Sequence, residues 1–337
     1  MKQINSKKTK LVLVLFDVPF KIGPDFDAEQ CLKLKDWKDE RDVVRALRSL
    51  GYSVKLMAVY DNISNMIEKI NKINPDTIFV LTECFKNNRD LAPNIVATLD
   101  LMNLRYTGPD PQSQILCKDK ALSKKLLQFE GIKTPQFVVA KTGQIPRDIG
   151  KFNFPVITKP LSLEGSEGIS QSSINRNVED CVKRIKFIHK RFQCDVIIEE
   201  FIPGRELYCG VVGNNEDIDV FPPVELIYRK NNPKNIASFK AKWDEKYRKR
   251  KGIKTVAANL DSKQTKHVQD FCRKVYTTLQ ICSYARIDLR LTKEVIAYFI
   301  EANPSPSIAK LDDFAKSAKL ASIDYEQLIE EIVELAS

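Results

Sequence analysis

Two neighbouring apolar stretches after residue 283 carry polar side chains at alternating positions. If residues 284–291 and 295–303 form paired strands, the side-chain period of two places the polar residues of each stretch on one face. These polar positions are Arg286 and Asp288 in the first stretch and Glu301 and Asn303 in the second. Two carboxylates and an amide that converge from paired strands form an all-oxygen set suited to Mg²⁺, which usually keeps waters and substrate phosphates as its other ligands. From this stretch alone, a hairpin with solvated acidic residues stays an equal alternative.

The residues between these polar positions are apolar, as a hairpin with one buried face requires. A short polar turn at 292–294 connects the two predicted strands. The residues expected to face the core are Ile287, Leu289, Ile300 and Ala302.

A second polar element follows the predicted strand 154–159, which ends at Lys159. The loop after this strand carries Gly165, Ser166 and Gly168. Glycines let a backbone approach an anion closely, so N–H groups and the Ser166 hydroxyl are suited to holding phosphate oxygens while Lys159 supplies charge. Loops that contain glycine and serine are common between strands, so this one is a weak signal by itself.

The predicted strand 195–202 contains the adjacent residues Glu199 and Glu200 and leads to Glu206. A strand that leaves its sheet between domains offers backbone N–H and C=O groups to the edge of an adenine, and a following carboxylate can accept hydrogen bonds from ribose hydroxyls. In isolation, two adjacent glutamates are usually one exposed and one paired, and they do not define a site.

The first hundred residues alternate predicted strands and helices, which indicates a βαβ order and a parallel, Rossmann-like sheet. The strands are expected at 11–17, 52–60, 76–82 and 104–107, and the helices at 39–50, 62–73 and 91–103. No GxGxxG motif follows the first strand, so a dinucleotide fingerprint is absent. Further elements are expected as a helix from about 119, a strand at 136–140, a helix at 178–191 and a helix at 325–335.

The composition is that of a globular protein, with 43% hydrophobic and 29% charged residues and a net charge of +10. This excess suits a polyanionic ligand such as a nucleotide. The densest basic run, 246–254, is interpreted as a mobile loop that closes over the site, and a nucleic-acid partner is not expected. Scattered cysteines favour reduced thiols, and the absence of a long apolar run favours a cytoplasmic protein with no membrane partner.

The order of these motifs resembles that of the ATP-grasp ligases, and most closely their D-alanine–D-alanine ligase branch. The motifs that carry the resemblance are Asp119-Lys120, Lys159 with its glycine loop, Glu-Glu-Phe-Ile-Pro-Gly-Arg-Glu at 199–206, Ala-Lys-Trp at 241–243, Arg286 with Asp288, and Glu-Ala-Asn-Pro at 301–304. The resemblance implies an α/β fold with a Rossmann-like N-terminal domain, followed by an α+β ATP-grasp part of two domains that grip ATP. The implied boundaries are 1–115 for the substrate-side domain, 116–203 for the central domain, and 204–337 for the domain with the magnesium and catalytic residues.

The resemblance also implies an ATP-dependent, ADP-forming ligase that joins a carboxylate to an amine through an acyl phosphate. Nucleotide contacts are implied for Lys120 and Lys159 at the α- and β-phosphates, Ser166 over the phosphates, Glu199 at the adenine amino group, the backbone of Glu200 and Ile202 at the adenine edge, Glu206 at the ribose, and Lys242 at the γ-phosphate. The implied ligands of two Mg²⁺ ions, with Mn²⁺ as an alternative, are Asp288, Glu301 and Asn303. Arg286 is implied to stabilise the oxyanion of the tetrahedral intermediate.

The substrate side departs from the family pattern. Where this chain has Ser307, the family usually has a glycine whose backbone N–H meets the reacting carbonyl. We expect the backbone N–H of Ser307 to make this catalytic contact. Where the ligases place a hydroxyl for the acceptor carboxylate, this chain has Asp312, which would repel a carboxylate, and Lys310 is a candidate replacement. Trp243 stands where tyrosine or phenylalanine is usual and should narrow the pocket.

The substrates therefore stay open, with two amino acids or similar small carboxylates expected, and D-alanine for both as one option. The candidate partners of a substrate amine are Asp39, Glu40 and Asp42, while Glu83 and Arg89 either line the same pocket or are ordinary surface charges. The alternative function is a non-catalytic nucleotide-binding ATP-grasp protein that serves as a sensor or partner module. A homodimer is common among such ligases, and the sequence leaves the oligomeric state open.

Overall fold

The computed structural model describes residues 10–23, 25–229 and 236–336. Within these ranges the strands form three sheets that are flanked by helices. The strands are β1 (Leu11–Asp17), β2 (Ser53–Val59), β3 (Thr77–Val80), β4 (Phe137–Ala140), β5 (Val156–Pro160), β6 (Ile174–Asn175), β7 (Val196–Glu200), β8 (Arg205–Asn214), β9 (Asp217–Val220), β10 (Val224–Ile227), β11 (Lys254–Ala257), β12 (Tyr284–Leu291) and β13 (Ala297–Asn303). The α-helices are α1 (Lys38–Ser49), α2 (Ile63–Ile73), α3 (Ala92–Leu101), α4 (Pro111–Lys118), α5 (Lys120–Phe129), α6 (Val178–Phe192), α7 (Phe239–Trp243), α8 (Glu245–Lys251), α9 (Ser262–Thr278), α10 (Asp313–Leu320) and α11 (Tyr325–Glu334). No helix in these ranges has the length and apolar character needed to cross a membrane.

The first sheet is parallel, with the strand order β2-β1-β3. Its central strand is buried continuously from Val12 to Phe16. Such an unbroken apolar run is typical of a parallel strand that is covered on both faces. Helices follow each strand, as the alternating pattern of the sequence predicts.

The prediction of a fourth strand at 104–107 is wrong. Within that segment only Tyr106 pairs with the sheet, through an isolated parallel bridge to Ile78. Asn103, at φ 53°, and Gly108, at φ 94°, adopt left-handed conformations that turn the chain on either side of this segment.

The second and third sheets are antiparallel. The second has the order β4-β7-β5-β6 and packs against α6. The third has the order β11-β10-β8-β12-β13, and β9 pairs with β8. Helix α9 covers one face of the third sheet, and α10 packs against the other face beside β8.

The predicted hairpin forms between β12 and β13, but it contains a β-bulge. Asp288 pairs with Glu301 and the next pair is Leu289 with Phe299, so Ile300 has no partner across the ladder. The expectation that Ile300 faces the core is therefore wrong. The extra residue breaks the alternation, and Ile300 lines a cleft instead.

The interpretation of 246–254 as a loop is also wrong, because this run forms α8 and the start of β11. The side chain of Asp244 accepts a hydrogen bond from the Tyr247 N–H and caps the helix N-terminus. Gly252, at φ 59°, ends the helix in the left-handed conformation that favours glycine.

Helix α5 lies between the second and third sheets. Ala121 packs with Leu161 and Ile197 at the second sheet, whereas Leu127 belongs to the core of the third. Helices α10 and α11 share another core with β1 and α1. These shared cores connect all three sheets, and the domain boundaries at 115/116 and 203/204 stay a prediction.

Candidate active site

A cleft of about 610 Å³ lies between the second and third sheets. It brings together most of the side chains that the sequence singles out. The predicted residues on its wall are Lys159, Ser166, Glu199, Glu200, Ile202, Glu206, Lys242, Asp288 and Glu301. The predicted residues outside this lining set are Lys120, Arg286, Asn303 and Ser307.

The hairpin positions its polar residues in two facing pairs. These pairs are Asp288 with Glu301 and Arg286 with Asn303. The guanidinium of Arg286 donates to both carboxylate oxygens of Asp288, with Nε to Oδ1 at 2.7 Å and Nη2 to Oδ2 at 2.9 Å. Burial raises the pKa of Asp288, and the attraction of Arg286 only partly offsets it. The predicted metal ligand and the predicted oxyanion residue are therefore neighbours that orient one another.

Glu301 lies between two lysines that come from different elements. Its Oε2 is 3.9 Å from Nζ of Lys120 on α5, and its Oε1 is 3.9 Å from Nζ of Lys242 on α7. Burial favours the neutral acid, but the charges of Lys120 and Lys242 outweigh it and lower the pKa of Glu301 to about 2. Glu301 is therefore ionised at neutral pH.

The donor set at this hairpin fits a magnesium ion that shares its coordination with phosphate. Among the described residues, no group of three or more His, Cys, Asp or Glu is arranged to hold a metal ion. The predicted set instead combines Asp288 and Glu301 with the amide of Asn303, and Mg²⁺ commonly takes one or two carboxylates together with phosphate oxygens. The Asn303 amide nitrogen is buried without a hydrogen-bond partner in the described parts of the chain. A metal would be bound by the amide oxygen of Asn303, and this nitrogen would then be a donor toward a phosphate oxygen.

Glu199 lies on the cleft wall between two buried lysines. Its Oε1 is 3.3 Å from Nζ of Lys124, and its Oε2 is 3.0 Å from Nζ of Lys159. Burial alone would raise the pKa of Glu199, but the two ammonium groups lower it. Burial also lowers the pKa of Lys124 to about 8, against the attraction of Glu199. An adenine amino group at Glu199 would share its oxygens with these lysines.

The backbone at the end of β7 already makes several hydrogen bonds. The Glu200 N–H donates to the carbonyl of Gln136 at 2.9 Å. The Ile202 carbonyl accepts from Nη1 of Arg290 at 3.2 Å. The predicted adenine contacts would therefore be made by the Glu200 carbonyl and the Ile202 N–H.

Glu206 is held in place by two protein donors. Nη2 of Arg290 donates to Glu206 Oε2 at 2.9 Å, and the Tyr208 hydroxyl donates to Oε1 at 3.0 Å. The guanidinium of Arg290 also lies 5.0 Å from the centre of the Phe201 ring. A ribose at Glu206 would meet a carboxylate whose direction is already fixed.

The glycine loop that follows β5 adopts a tight backbone conformation. Ser166 has φ 62°, is buried and lines the cleft. Gly168 has φ 71°, and an added Cβ there would lie 2.7 Å from Cγ of Pro160. Glycine is therefore required at this position if the loop is to keep its place against β5.

Two side chains tether the same loop from outside. Nε1 of Trp243 donates to the Gly165 carbonyl at 2.8 Å. Nζ of Lys120 donates to the Leu163 carbonyl at 2.7 Å. The residue after Lys242 therefore holds the loop, whereas its narrowing of the pocket stays a prediction.

Ser307 connects the segment after β13 to α1. Its Oγ lies between the carboxylates of Asp39, at 2.9 Å, and Asp312. Asp39 also accepts from the Ile308 N–H at 3.2 Å, and Asp312 pairs with Nζ of Lys38 at 2.5 Å. The role of the Ser307 backbone at a reacting carbonyl stays a prediction.

Lys310 contacts residues of two helices, α1 and α11. Its N–H donates to Oδ2 of Asp42 at 3.1 Å, and its Nζ lies 3.1 Å from Oε1 of Glu326. The ammonium also lies 5.5 Å from the centre of the Tyr325 ring. A substrate carboxylate at Lys310 would have to compete with Glu326.

Acidic residues gather where the first sheet ends. Asp17, the last residue of β1, accepts from the Glu83 N–H at 2.6 Å. Arg89 lies between the carboxylates of Glu83 and Glu164, at 3.1 Å from each, and so connects this edge to the glycine loop. Burial raises the pKa of Glu83 to about 7 although Arg89 opposes it. Glu83 and Arg89 are therefore part of a network that reaches the glycine loop.

The three candidate partners of a substrate amine differ in what they already bind. Asp39 accepts from Ser307 and Ile308, and Asp42 accepts from Lys310. For Glu40, burial followed by repulsion from nearby carboxylates raises the pKa to about 8. A cation placed beside Glu40 would relieve that repulsion, so Glu40 is the strongest of the three candidates.

Arg290 lines the cleft and Lys124 lies behind its wall, and both pair with cleft carboxylates that the sequence does not predict as their partners. A signal existed for each. Lys124 follows Lys120 by four residues, which places both on one face of a helix, and Arg290 continues the alternation of Arg286 and Asp288 along β12. Their acidic partners lie 75 and 84 residues away along the chain and could not be read from that spacing.

Two antiparallel sheets that enclose a cleft lined by lysines and carboxylates, beside a glycine loop, define the ATP-grasp class of proteins. A family model described as the C-terminus of D-ala D-ala ligase matches residues 121–334, and the chain belongs to the D-alanine–D-alanine ligase family. The family predicted from the order of the motifs is therefore confirmed.

Individual relatives agree with this assignment. The chain is 30% identical over 249 residues to a D-alanine–D-alanine ligase of Caldicellulosiruptor bescii, covering 71% of this chain and 64% of that one. It is 26% identical over 298 residues to a D-alanine–D-alanine ligase of Aquifex aeolicus, covering 88% and 94%. The crystal structure of the Bacillus anthracis D-alanine–D-alanine ligase complexed with ATP matches with a TM-score of 0.74 over 97% of both chains at 20% identity. The mixed α/β fold is confirmed by this last likeness.

Proposed function

We propose that this chain is an ATP-dependent, ADP-forming ligase that joins the carboxylate of one small substrate to the amine of another. The observation that carries the proposal is the hairpin at the cleft, where Asp288 faces Glu301 and both Lys120 and Lys242 lie 3.9 Å from Glu301. Carboxylates and ammonium groups at one point suit a triphosphate whose oxygens share a divalent cation.

The nucleotide lies along the cleft in this proposal. The adenine edge meets the backbone of Glu200 and Ile202, and its amino group reaches Glu199. The ribose hydroxyls donate to Glu206, which Arg290 and Tyr208 already orient. The residues assigned to the phosphates are Lys120, Lys159, Ser166 and Lys242.

The metal ligands in this proposal are Asp288, Glu301 and Asn303, which would hold two Mg²⁺ ions or Mn²⁺ in their place. A bound divalent ion supplies positive charge to the phosphate oxygens during transfer. Arg286 keeps Asp288 oriented through its two hydrogen bonds. The low pKa of Glu301 keeps this ligand ionised without a metal.

The reaction has two bond-forming steps. A carboxylate oxygen of the first substrate attacks the γ-phosphorus and ADP leaves, which gives an acyl phosphate. The amine of the second substrate attacks the acyl carbon, inorganic phosphate leaves and the amine loses a proton. Lys242 meets the charge on the transferring phosphoryl group, and Arg286 with the backbone N–H of Ser307 meets the charge on the acyl oxygen. One such preorganised donor typically contributes about 10²–10³ in rate.

The substrates in this proposal are two small amino acids. D-alanine for both is the first pair to test, because the relatives are named for that reaction. Glu40 is assigned to an ammonium group, since burial and then repulsion from nearby carboxylates raise its pKa, and a cation beside it would favour the ionised carboxylate. Asp312 is itself a carboxylate and already binds Lys38 and Ser307. The carboxylate of the second substrate must therefore bind to another residue.

The test is Mg²⁺-dependent phosphate release from ATP with pairs of D- and L-amino acids, with condensed products identified by mass spectrometry. Asp288→Asn should abolish product, whereas Asp217→Asn, an exposed aspartate on β9 of the same sheet, should not. ATP binding with no condensed product from any pair would contradict the proposal and favour a sensor or partner module. Sedimentation of the same sample measures whether the chain forms a homodimer.

A further inference from the structure

Helix α5 carries two buried lysines one helical turn apart. Lys120 and Lys124 share one face of the helix, and their side chains are 4% and 0% exposed. Neither lysine belongs to the lining of the cleft, and only Lys120 has a proposed place at the phosphates. Burial of an ammonium group is costly unless it is paired and hydrogen-bonded, so the contacts of Lys124 require an explanation.

The ammonium of Lys124 bridges the two sheets that form the cleft. Nζ is 3.3 Å from Oε1 of Glu199 at the end of β7 in the second sheet. The same Nζ donates to the Ile300 carbonyl on β13 of the third sheet at 2.5 Å. It also lies 4.9 Å from the centre of the Phe299 ring. One side chain therefore touches a cleft carboxylate on one side and a metal-site strand on the other.

The contact on the third sheet falls on the β-bulge. Ile300 is the bulged residue, and Glu301 follows it directly. A bulge lacks one set of ladder contacts and re-aims the neighbouring side chains. The hydrogen bond from Nζ of Lys124 on α5 to the Ile300 carbonyl replaces part of the hydrogen bonding that the strand ladder lacks at the bulge. It thereby restrains the backbone that directs Glu301 toward Asp288.

The contact on the second sheet acts on a nucleotide-side group. Glu199 is shared between Lys124 and Lys159, whose Nζ is 3.0 Å from Oε2. Without Lys124, Lys159 would be the remaining cationic partner of Glu199 in this pair of contacts. The ammonium of Lys159 would then bind Glu199 more strongly and a phosphate less strongly. The position of Lys159 therefore depends on Lys124.

We propose that Lys124 is a positioning residue that fixes the nucleotide-side carboxylate Glu199 and the metal-side strand at Glu301 relative to one another. This inference rests on the proposed function, because it assigns the hairpin to a metal–nucleotide complex. Its specific consequence is a coupling between the binding of Mg²⁺ and the binding of ATP. Lys124 makes the cleft bind ATP more tightly in the presence of Mg²⁺ than in its absence.

The test is calorimetric measurement of the ATP dissociation constant at rising Mg²⁺ concentration, which requires no turnover. Lys124→Met keeps the length of the side chain but removes the charge and the donors. We expect Mg²⁺ to improve ATP affinity about 10–100-fold less in this variant than in the wild type, the range typical for groups that orient metal ligands. The exposed neighbour Lys125→Met should match the wild type.

A second control separates positioning from a general loss of stability. Leu127→Ala creates a cavity on the same helix and should lower the melting temperature while leaving the Mg²⁺ effect on ATP affinity intact. Should Lys124→Met not fold, Lys124→Gln, which keeps one donor, takes its place. An Mg²⁺ effect in the Lys124 variant equal to that of Leu127→Ala would overturn the inference.

This calorimetry and the assay for condensed product together distinguish the two proposals. Wild-type protein that binds Mg²⁺ and ATP together but forms no product would contradict the ligase function and still report on Lys124. Wild-type protein whose ATP affinity ignores Mg²⁺ would overturn the inference about Lys124 directly.

Discussion

Asp288 on β12 lies opposite Glu301 on β13, and the bulge beside this pair turns Ile300 into the same cleft. The pair combines a carboxylate that Arg286 orients with one that two lysines keep ionised. The proposed metal contacts depend on this facing arrangement. The predictions that follow test separate parts of the surrounding network.

Arg290→Met should destabilise the fold, because it leaves the mostly buried carboxylate of Glu206 without its charged partner. Removal of one member of a buried pair typically costs about 3–5 kcal/mol in the free energy of unfolding. Urea unfolding measures the change. The double variant Arg290→Met, Glu206→Gln should recover part of the loss, and additive losses in the double variant would show that the pair does not interact.

Glu40→Gln should flatten the dependence of stability on pH. Burial and neighbouring carboxylates raise the pKa of Glu40 from 4.5 to about 8 in the folded chain. Between these values the folded chain keeps a proton that the unfolded chain has released, so the free energy of unfolding falls as pH rises through this window. Melting temperatures at pH 5, 6, 7 and 8 should therefore decline more in the wild type than in Glu40→Gln.

Glu216→Gln, at an exposed turn, serves as the control for that measurement. It should keep the pH dependence of the wild type. If the melting temperatures of the wild type and Glu40→Gln decline equally with pH, Glu40 has the same pKa in the folded and the unfolded chain.

Trp243→Phe should weaken ATP binding about two- to tenfold, because a single hydrogen bond contributes about 0.5–1.5 kcal/mol net. The variant loses the 2.8 Å hydrogen bond from Nε1 to the Gly165 carbonyl that holds the glycine loop. The chain has two tryptophans, so Trp37→Phe gives a matched control and leaves Trp243 as the only indole. Equal ATP dissociation constants in the two variants would show that the tether does not order the loop.

The hairpin and the family were predictable because their signals are local. Alternation of polar and apolar residues placed Arg286, Asp288, Glu301 and Asn303 on two strands, and the order of the short motifs needed no knowledge of packing. The structure brings most of the predicted residues to one cleft.

The bulge was not predictable from the same alternation. Ile300 continues an apolar strand in sequence, and only the register against β12 shows that it is the extra residue. The same limit applies to Lys124, whose contacts with Glu199 and Ile300 depend on how α5 packs between two sheets. In the run 246–254, the dense basic charge favours a solvated loop, whereas the capping residues Asp244 and Gly252 are the local signals that indicate a helix.

The most direct test of the ligase proposal follows an oxygen atom. The first amino acid is labelled with ¹⁸O in its carboxylate and incubated with the second amino acid, ATP and Mg²⁺, and the released phosphate is analysed by mass spectrometry. Attack of the carboxylate on the γ-phosphorus predicts phosphate that carries one ¹⁸O atom for each condensed product. Unlabelled phosphate would show that water takes the phosphoryl group and would contradict the acyl-phosphate chemistry proposed for Lys242, Arg286 and the Asp288–Glu301 pair.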